Sequence, residues 1–250
     1  MRVRMIGASI SAAALVGVLA AGFPAIAVSA TFTVPGTSDP FLAGMPSGST
    51  CCSGDSAPAE SPVYAGAVTG GATLTFTSVS GSVSYAGGPP SDPPDGDAGF
   101  LVDTPAYEGG ASDINNIAGY TNMPVDALIG VFLNSSLPTA NAAPAMLDFT
   151  NTSFASLSPG LQQTFFIGDG LTGTGTGSVQ TFIVPAGATR LYLATVDGFG
   201  WYNNSGAITV TVNGGSAVPE PGAWALMLSG VFGVGAFARR RAAQARTAAA

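Results

Sequence analysis

Short apolar and β-branched runs recur through the middle of the chain, and none keeps the three-to-four-residue spacing of an amphipathic helix. Apolar and polar residues alternate most regularly at 73–77 and 208–212, which is typical of strands with one buried face. Clusters of Gly, Pro, Asn and Asp separate the runs. The pattern predicts an all-β domain whose strands lie at 63–68, 73–79, 82–85, 127–133, 146–149, 164–167, 179–184, 190–196 and 207–212.

Short strands in this number and length favour a jelly roll, in which two antiparallel sheets pack as a sandwich. We place the sandwich at residues 63–213, after a loop-rich N-terminal segment at 31–62. Two stretches inside it, 87–99 and 168–177, are too rich in Gly and Pro for strands. They are predicted to be surface loops.

Residues 1–30 have the parts of a secretory signal peptide in the usual order. Two arginines precede an apolar stretch at 5–21, and small residues suited to signal peptidase end at Ala27 and at Ala30. We expect export and cleavage after Ala30, with Ala27 as the alternative. A retained transmembrane anchor is the competing interpretation, which the short apolar core disfavours.

A second targeting segment occupies the C terminus. A linker and motif at 214–222 are followed by a hydrophobic helix with a basic cluster at 223–241 and a cytoplasmic tail at 242–250. The motif consists of Val218, Pro219, Glu220, Pro221 and Gly222. Its prolines keep the backbone extended and accessible to a processing enzyme. The 16 apolar residues from 223 to 238 rise about 24 Å as a helix, slightly less than the ~30 Å hydrocarbon core of a membrane.

These features together resemble the PEP-CTERM sorting signals of Gram-negative bacteria. The resemblance implies that an exosortase cuts near the motif and releases or transfers the ectodomain. The precursor would then lie in the inner membrane and the product at the cell surface or in the extracellular matrix. An ordinary C-terminal membrane anchor is the competing interpretation.

The predicted secreted portion is strongly acidic. Between residues 31 and 217 the chain has 13 acidic residues and one basic residue, Arg190, so its formal charge is −12. We therefore expect no nucleic-acid partner. The chain has neither Lys nor His, the residues that serve most often as Schiff-base amine and general base, and we do not expect an enzyme. A glycosidase with paired carboxylates is the enzymatic alternative, although nothing in the sequence sets their separation.

The chain has two cysteines, Cys51 and Cys52, and they are adjacent. A bond between neighbours is strained, because their Cα atoms lie only about 3.8 Å apart. The sequence leaves open whether they are loop thiols without a function or bond to another chain in an oxidising compartment.

Oxygen-bearing side chains concentrate between the last two predicted strands, at 197–206. Asp197, Asn203 and Asn204 bring a carboxylate and two amides there, and Ca²⁺ binds six to eight such oxygens. The competing interpretation is a loop whose Asn and Gly residues satisfy left-handed turn geometry while its aromatic residues pack a sandwich edge.

This loop resembles the calcium loop of the PA-I type galactophilic lectins, and residues 71–85 resemble the opening strand pair of that family, with a corner at Ser80 and Gly81. The likeness covers roughly 63–212 and implies a galactose-binding-like sandwich. It also implies that Ca²⁺ is held by Asp197, Asn203 and Asn204 through side chains, by Tyr85 through its main chain, and by the carbonyl of Gly200 or Trp201.

One departure from the lectins is that their galactose-binding His and Gln have no counterpart, and the corresponding loop carries acidic residues. We expect a sugar to contact Asp95, Asp97, Asp197, Phe199, Trp201 and Asn203, with Phe199 or Trp201 stacking on a pyranose ring. The sequence therefore favours a calcium-dependent carbohydrate-binding protein whose partner is extracellular polysaccharide. The alternative is a structural or adhesive exopolysaccharide-matrix protein with no small ligand.

Overall fold

The structure is a computed structural model that describes residues 27–216. The apolar core of the predicted signal peptide and the whole predicted sorting segment from Val218 onward lie outside the described residues. Within 27–216, no helix has the length and apolar character needed to cross a membrane.

Strands make up most of the regular structure between residues 27 and 216. They are β1 Ala27–Pro35, β2 Thr50–Cys51, β3 Asp55–Ser56, β4 Val63–Ala67, β5 Thr73–Ser84, β6 Asp97–Val102, β7 Asp113–Ile114, β8 Ile117–Ala118, β9 Tyr120–Thr121, β10 Met123–Val125, β11 Leu128–Leu133, β12 Leu147–Asp148, β13 Ser156–Leu157, β14 Thr164–Phe166, β15 Leu171–Gly173, β16 Thr176–Val179, β17 Thr181–Ile183, β18 Arg190–Thr195 and β19 Ser205–Ser216. The helical elements are α1 Thr104–Tyr107 and the 3-10 turns Pro40–Leu42, Tyr85–Gly87, Pro138–Ala140 and Trp201–Asn203.

Two main sheets hold the core between them. One has the strand order β1-β19-β5-β17-β13 and the other β14-β11-β18-β4. Neighbours in both sheets are antiparallel except β13 and β17. Phe165 of β14 and Phe182 of β17 meet across the core, with ring centroids 5.6 Å apart. The fold is therefore predominantly β, as the hydrophobic pattern predicts.

The alternating segments lie where one face of a sheet is buried. In β5, Leu74 and Phe76 are buried while the threonines between and beside them are partly exposed. In β19, Ile208 and Val210 point into the same core. The six residues of β11 are all buried, because this strand lies inside the second sheet and is covered on both faces.

The corner predicted at Ser80 and Gly81 is wrong, because β5 continues as one strand from Thr73 to Ser84. Gly81 pairs with Ile208 at a φ of +110°, and a Cβ at this position would overlap the carbonyl oxygen of Ala207. Glycine here lets two strand backbones approach closely, so it serves the pairing rather than a turn.

The five-stranded sheet begins earlier than the predicted sandwich. β1 lies at its edge, where Ala27 pairs with Ser216 and Pro35 with Ala207. This strand was not predicted, because its short alternation adjoins the predicted signal peptide. The pairing also shows that the first and last described residues lie at the same end of the sheet.

The predicted loop at 168–177 contains a hairpin, because β15 and β16 pair within and just beyond it. Gly168 and Gly170 in this stretch are buried, so it is only partly a surface loop. The other predicted loop, 87–99, is irregular until β6 begins at its end.

Candidate functional site

The candidate site lies where one strand pair from each main sheet ends. Pairing of β5 with β19 stops at Ser84 and Ser205, and pairing of β11 with β18 stops at Leu128 and Thr195. The segment 196–204 crosses between the sheets here. Side chains just beyond all four strand ends therefore meet at one edge of the sandwich.

A cavity of about 200 Å³ opens at this edge. Its lining consists of Tyr85, Ala86, Phe100, Tyr107, Asp197, Gly198, Phe199 and Asn203. Tyr85, Asp197, Phe199 and Asn203 belong to the predicted site, so the fold brings together residues that are more than a hundred positions apart in the chain.

Asp197 is held inside the loop by hydrogen bonds to its carboxylate. The Gly198 N–H donates to Oδ1 over 2.6 Å, and the side chain of Asn204 lies beside this carboxylate. Burial raises the pKa of Asp197, and hydrogen bonding to the carboxylate opposes the rise. The carboxylate is therefore positioned and oriented before any ligand arrives.

Asn204 directly precedes β19, does not line the cavity and is 7% exposed. Its Nδ2 donates to the carbonyl of Gly36 over 3.2 Å, while its Oδ1 is buried with no hydrogen-bond partner in the described part of the chain. Asn203 is exposed and reaches the cavity itself.

Asp126, which the sequence analysis missed, lies beside these residues and is fully buried. Its Oδ2 accepts a hydrogen bond from the Tyr85 N–H over 3.1 Å. Burial, and then the neighbouring carboxyl group of Asp92, raise the pKa of Asp126 to about 8. The available signal was an acidic residue directly before a fully apolar strand.

Aromatic rings form one wall of the cavity. Tyr85 and Phe100 meet with centroids 5.3 Å apart, Phe100 and Tyr107 at 6.3 Å, and Tyr107 and Phe199 at 6.2 Å. Phe199 is 50% exposed at the open end of this row. The cavity thus combines an acidic, amide-bearing side with an apolar one.

The expectation that Trp201 stacks on a sugar is wrong. Its side chain is fully buried, and its indole N–H donates to the carbonyl of Thr195 over 2.9 Å. The two carbonyls considered as ligands both accept turn hydrogen bonds, Gly200 from the Asn203 N–H and Trp201 from the Asn204 N–H. Each retains a second lone pair.

Asp95 and Asp97 do not line this cavity. Asp95 lies against a separate cavity of about 40 Å³, where its Oδ1 accepts a hydrogen bond from the Asp169 N–H over 2.7 Å. Asp97 is exposed at the start of β6 and accepts one from the Gly99 N–H over 2.8 Å. Asp97 therefore stabilises a local turn, whereas Asp95 joins its loop to the segment at 168–177. The expected contact of both with the sugar at Asp197 is wrong in this structure.

The turn between β2 and β3 anchors the loop of the candidate site. The carboxylate of Asp55 accepts hydrogen bonds from the N–H groups of Trp201 and Tyr202, over 3.0 and 2.7 Å. The carbonyl of Cys52 accepts a third from the Gly200 N–H over 3.0 Å. A disulfide joins Cys51 to Cys52, and both are buried. Neither interpretation left open for these cysteines therefore holds.

Buried acidic groups continue behind this turn. Asp39 is fully buried, and only its Oδ1 accepts a hydrogen bond, from the Phe41 N–H over 2.8 Å. Burial raises the pKa of Asp39, raises that of Asp55 to about 6, and also raises that of Glu108. The basic side chain of the described region, Arg190, bonds elsewhere, to the carbonyls of Asn134 and Ser136.

Acidic side chains thus converge at one edge of the sandwich without a basic partner among residues 27–216. The oxygen atoms make this edge a candidate cation site, and the aromatic wall can hold a flat apolar surface. Comparison of the chain with protein-family models, with curated proteins and with solved structures gives no match.

Proposed function

We propose that this chain is an exported surface or extracellular-matrix protein whose β-sandwich binds carbohydrate through Ca²⁺. The observation that carries the proposal is the single cavity lined by Tyr85, Asp197 and Asn203 on one side and by aromatic rings on the other. Cation ligands and a stacking surface are the two features that a calcium-dependent sugar site requires.

The proposed ligands are all oxygens. Asp197, Asn203 and Asn204 supply side chains, Tyr85 its carbonyl, and Gly200 or Trp201 a further carbonyl. This donor set suits a hard cation such as Ca²⁺, whereas zinc and copper sites use nitrogen or sulfur. The buried Oδ1 of Asn204, which lacks a partner in residues 27–216, gives specific support, since a bound cation would satisfy it.

The proposed sugar lies against Phe199 and Tyr107. Aromatic faces pack against the apolar face of a pyranose, and the metal orients the hydroxyl groups. The cavity of about 200 Å³ is smaller than the ~300–1,000 Å³ of sites for drug-sized ligands. It therefore suits one terminal sugar residue of a polysaccharide.

The sheet geometry supports display of this site. The described chain starts and ends at one end of the five-stranded sheet, and the candidate site lies at the other end of β19. The 12 residues of β19 span roughly 40 Å. If the sorting segment is held in the membrane, the site faces away from it, as a glycan-binding site at a cell surface should. The finer fold that we propose is a jelly-roll, galactose-binding-like sandwich.

Thermal denaturation with Ca²⁺ and with chelator tests the cation. We expect Ca²⁺ to raise the melting temperature of the full-length chain in mild detergent, and Asp197→Asn to remove most of that rise. If Ca²⁺ leaves the melting temperature of the wild type unchanged, the alternative of a matrix protein with no small ligand is favoured.

A glycan array probed with Ca²⁺ and with chelator tests the sugar. Phe199→Ala should reduce the calcium-dependent signal. Tyr202→Ala is the matched control, because Tyr202 is 56% exposed in the same loop but does not line the cavity. An equal loss in both variants, or none in either, would argue against stacking on Phe199.

A further inference from the structure

We propose that Asp126, assisted by Asp92, supplies carboxylate ligands to the cation bound at Asp197. This inference rests on the proposed function, because it extends the ligand set of the same site. It changes how the cation can bind a sugar, because the carboxylates of Asp92 and Asp126 would occupy coordination positions that the lectin-like scheme leaves to sugar hydroxyls.

The strand register places Asp126 beside Asp197. The pairing of β11 with β18 extends beyond Leu128 and Thr195, because the Val196 N–H donates to the Ala127 carbonyl over 3.0 Å and the Asp126 N–H to the Val196 carbonyl over 2.8 Å. Asp126 is thus the residue opposite Asp197 where the two chains diverge.

The Asp126 side chain then reaches the other sheet. Its Oδ2 accepts the hydrogen bond from the N–H of Tyr85, the residue that follows β5 and whose carbonyl is a proposed ligand. The carboxylate therefore links the two sides of the site, between Tyr85 and Asp197. A cation held by those two residues would have the carboxylate of Asp126 as a neighbour.

The remaining oxygen of Asp126 lacks a donor. Its Oδ1 is buried, and none of residues 27–216 donates a hydrogen bond to it. Asn204 provides an independent observation, because it lies beside Asp197 and its own Oδ1 is buried without a hydrogen-bond partner among residues 27–216. Buried oxygens without donors are destabilising, and one cation would satisfy both.

Asp92 is held beside this pair by the backbone. It exchanges hydrogen bonds with Val83, over 3.1 Å from the Val83 N–H and 3.0 Å from its own N–H. This pairing places Asp92 opposite Val83, two residues before Tyr85, whose N–H binds Asp126. The carboxylate oxygens of Asp92, Asp126 and Asp197 do not all lie within 4.8 Å of one another, so the three side chains would converge only when the cation binds. Arg190 is engaged elsewhere in the described region.

The enlarged ligand set leaves little room for sugar hydroxyls on the metal. Asp92 and Asp126 would join Asp197, two amides and two carbonyls, and Ca²⁺ takes only about six to eight oxygens. We therefore expect Ca²⁺ to bind in the absence of sugar. The sugar would be recognised mainly by the aromatic wall and by at most about one metal-bound hydroxyl.

Calorimetric titration of Ca²⁺ into the full-length chain in mild detergent tests this assignment. Asp126→Asn keeps the oxygen that accepts from the Tyr85 N–H and removes only the carboxylate charge. Asp92→Asn removes a carboxylate charge at a partly exposed position. Asp113→Asn on β7 is the control for loss of one acidic charge. We expect Asp126→Asn to weaken Ca²⁺ binding about tenfold or more, Asp92→Asn to weaken it less, and Asp113→Asn to leave it unchanged.

The results separate this inference from the proposed function. If Asp197→Asn loses Ca²⁺ binding while Asp126→Asn and Asp92→Asn bind like the wild type, the calcium site stands and the assignment of Asp126 and Asp92 is wrong. If the wild type binds no Ca²⁺, both fail. Melting curves in chelator show whether Asp126→Asn folds; should it not, the result for Asp92→Asn decides.

Discussion

Replacing Asp55 tests whether the turn between β2 and β3 holds the loop of the candidate site. Asp55→Ala removes the acceptor for the N–H groups of Trp201 and Tyr202, which lie 3.0 and 2.7 Å from its carboxylate. Leaving the buried Trp201 N–H unpaired costs about 1–3 kcal/mol, and the partly buried Tyr202 N–H adds a smaller cost. Part of this cost is offset, because burial of the carboxylate is itself unfavourable, as its pKa of about 6 indicates.

The net effect should be a loss of about 2–3 kcal/mol in the free energy of unfolding at pH 7.5. In a domain of this size the melting temperature would fall by roughly 4–12 °C. Asp55→Asn should lose about half as much free energy, because one acceptor oxygen remains. Urea unfolding followed by tryptophan fluorescence suits the measurement, since Trp201 is fully buried in this loop.

Glu60→Gln is the matched control for Asp55. Glu60 lies in the same segment, and its Oε2 accepts a hydrogen bond from the Ser56 N–H over 2.8 Å. The glutamine keeps an acceptor, so we expect a loss below about 1 kcal/mol. Anchoring by Asp55 would be refuted if Asp55→Ala unfolded within about 0.5 kcal/mol of the wild type, or if Glu60→Gln lost as much.

Three further predictions follow from the fold. In chelator, the free energy of unfolding should fall as pH rises from about 4 to above 6. The reason is that Asp39 and Asp55 have raised pKa values in the folded chain and stay protonated there in the range where unfolded Asp ionises. Urea unfolding at pH 4.5 and 7.5 checks this, and greater stability at pH 7.5 would contradict it. Gly81→Ala should lower the melting temperature more than Gly66→Ala, because both have a φ of +110° but only Gly81 faces a backbone oxygen; equal losses would refute the steric cause. A chain that starts at Thr31 should have an unfolding free energy about 1 kcal/mol lower, and a lower melting temperature, than a chain that contains all of β1, because residue pairs between β1 and β19 are lost. Equal melting temperatures would show that these pairs contribute nothing to stability.

The strands that were predicted are those that the local pattern of apolar and polar residues is sufficient to identify. Regular alternation at 73–77 and 208–212 marks one buried face whatever the neighbours are, and the apolar run at 128–133 can only be covered on both faces. The continuous path of β5 through Gly81 was not predictable, since a glycine marks a turn or a close strand contact equally well, and only the partner strand decides.

The candidate site was likewise predictable from the sequence only in part. Asp197 and Asn203 lie in one loop, so their proximity follows from the sequence, and Tyr85 was placed beside them through a family resemblance. The role of Asp126 depends on the register of β11 against β18, which no local pattern records. Trp201 was misjudged because an aromatic residue in a polar loop suggests exposure, whereas its indole N–H finds the carbonyl of Thr195 inside the core.

The acidic interior also relates the stability of the fold to the proposed export. Carboxylates buried without basic partners weaken the fold at neutral pH, and a cation that binds only the folded chain stabilises it by RT ln(1 + [Ca²⁺]/Kd). Extracellular calcium modules have Kd values of about 10⁻⁴–10⁻³ M, so millimolar Ca²⁺ contributes roughly 0.4–1.4 kcal/mol. The same chain would gain almost nothing at the far lower calcium level of a cytoplasm. Burial of Asp126 and Asp197 destabilises the fold in every compartment, whereas Ca²⁺ bound to them would stabilise it only outside the cell. The proposed site therefore agrees with a protein that completes its folding after export.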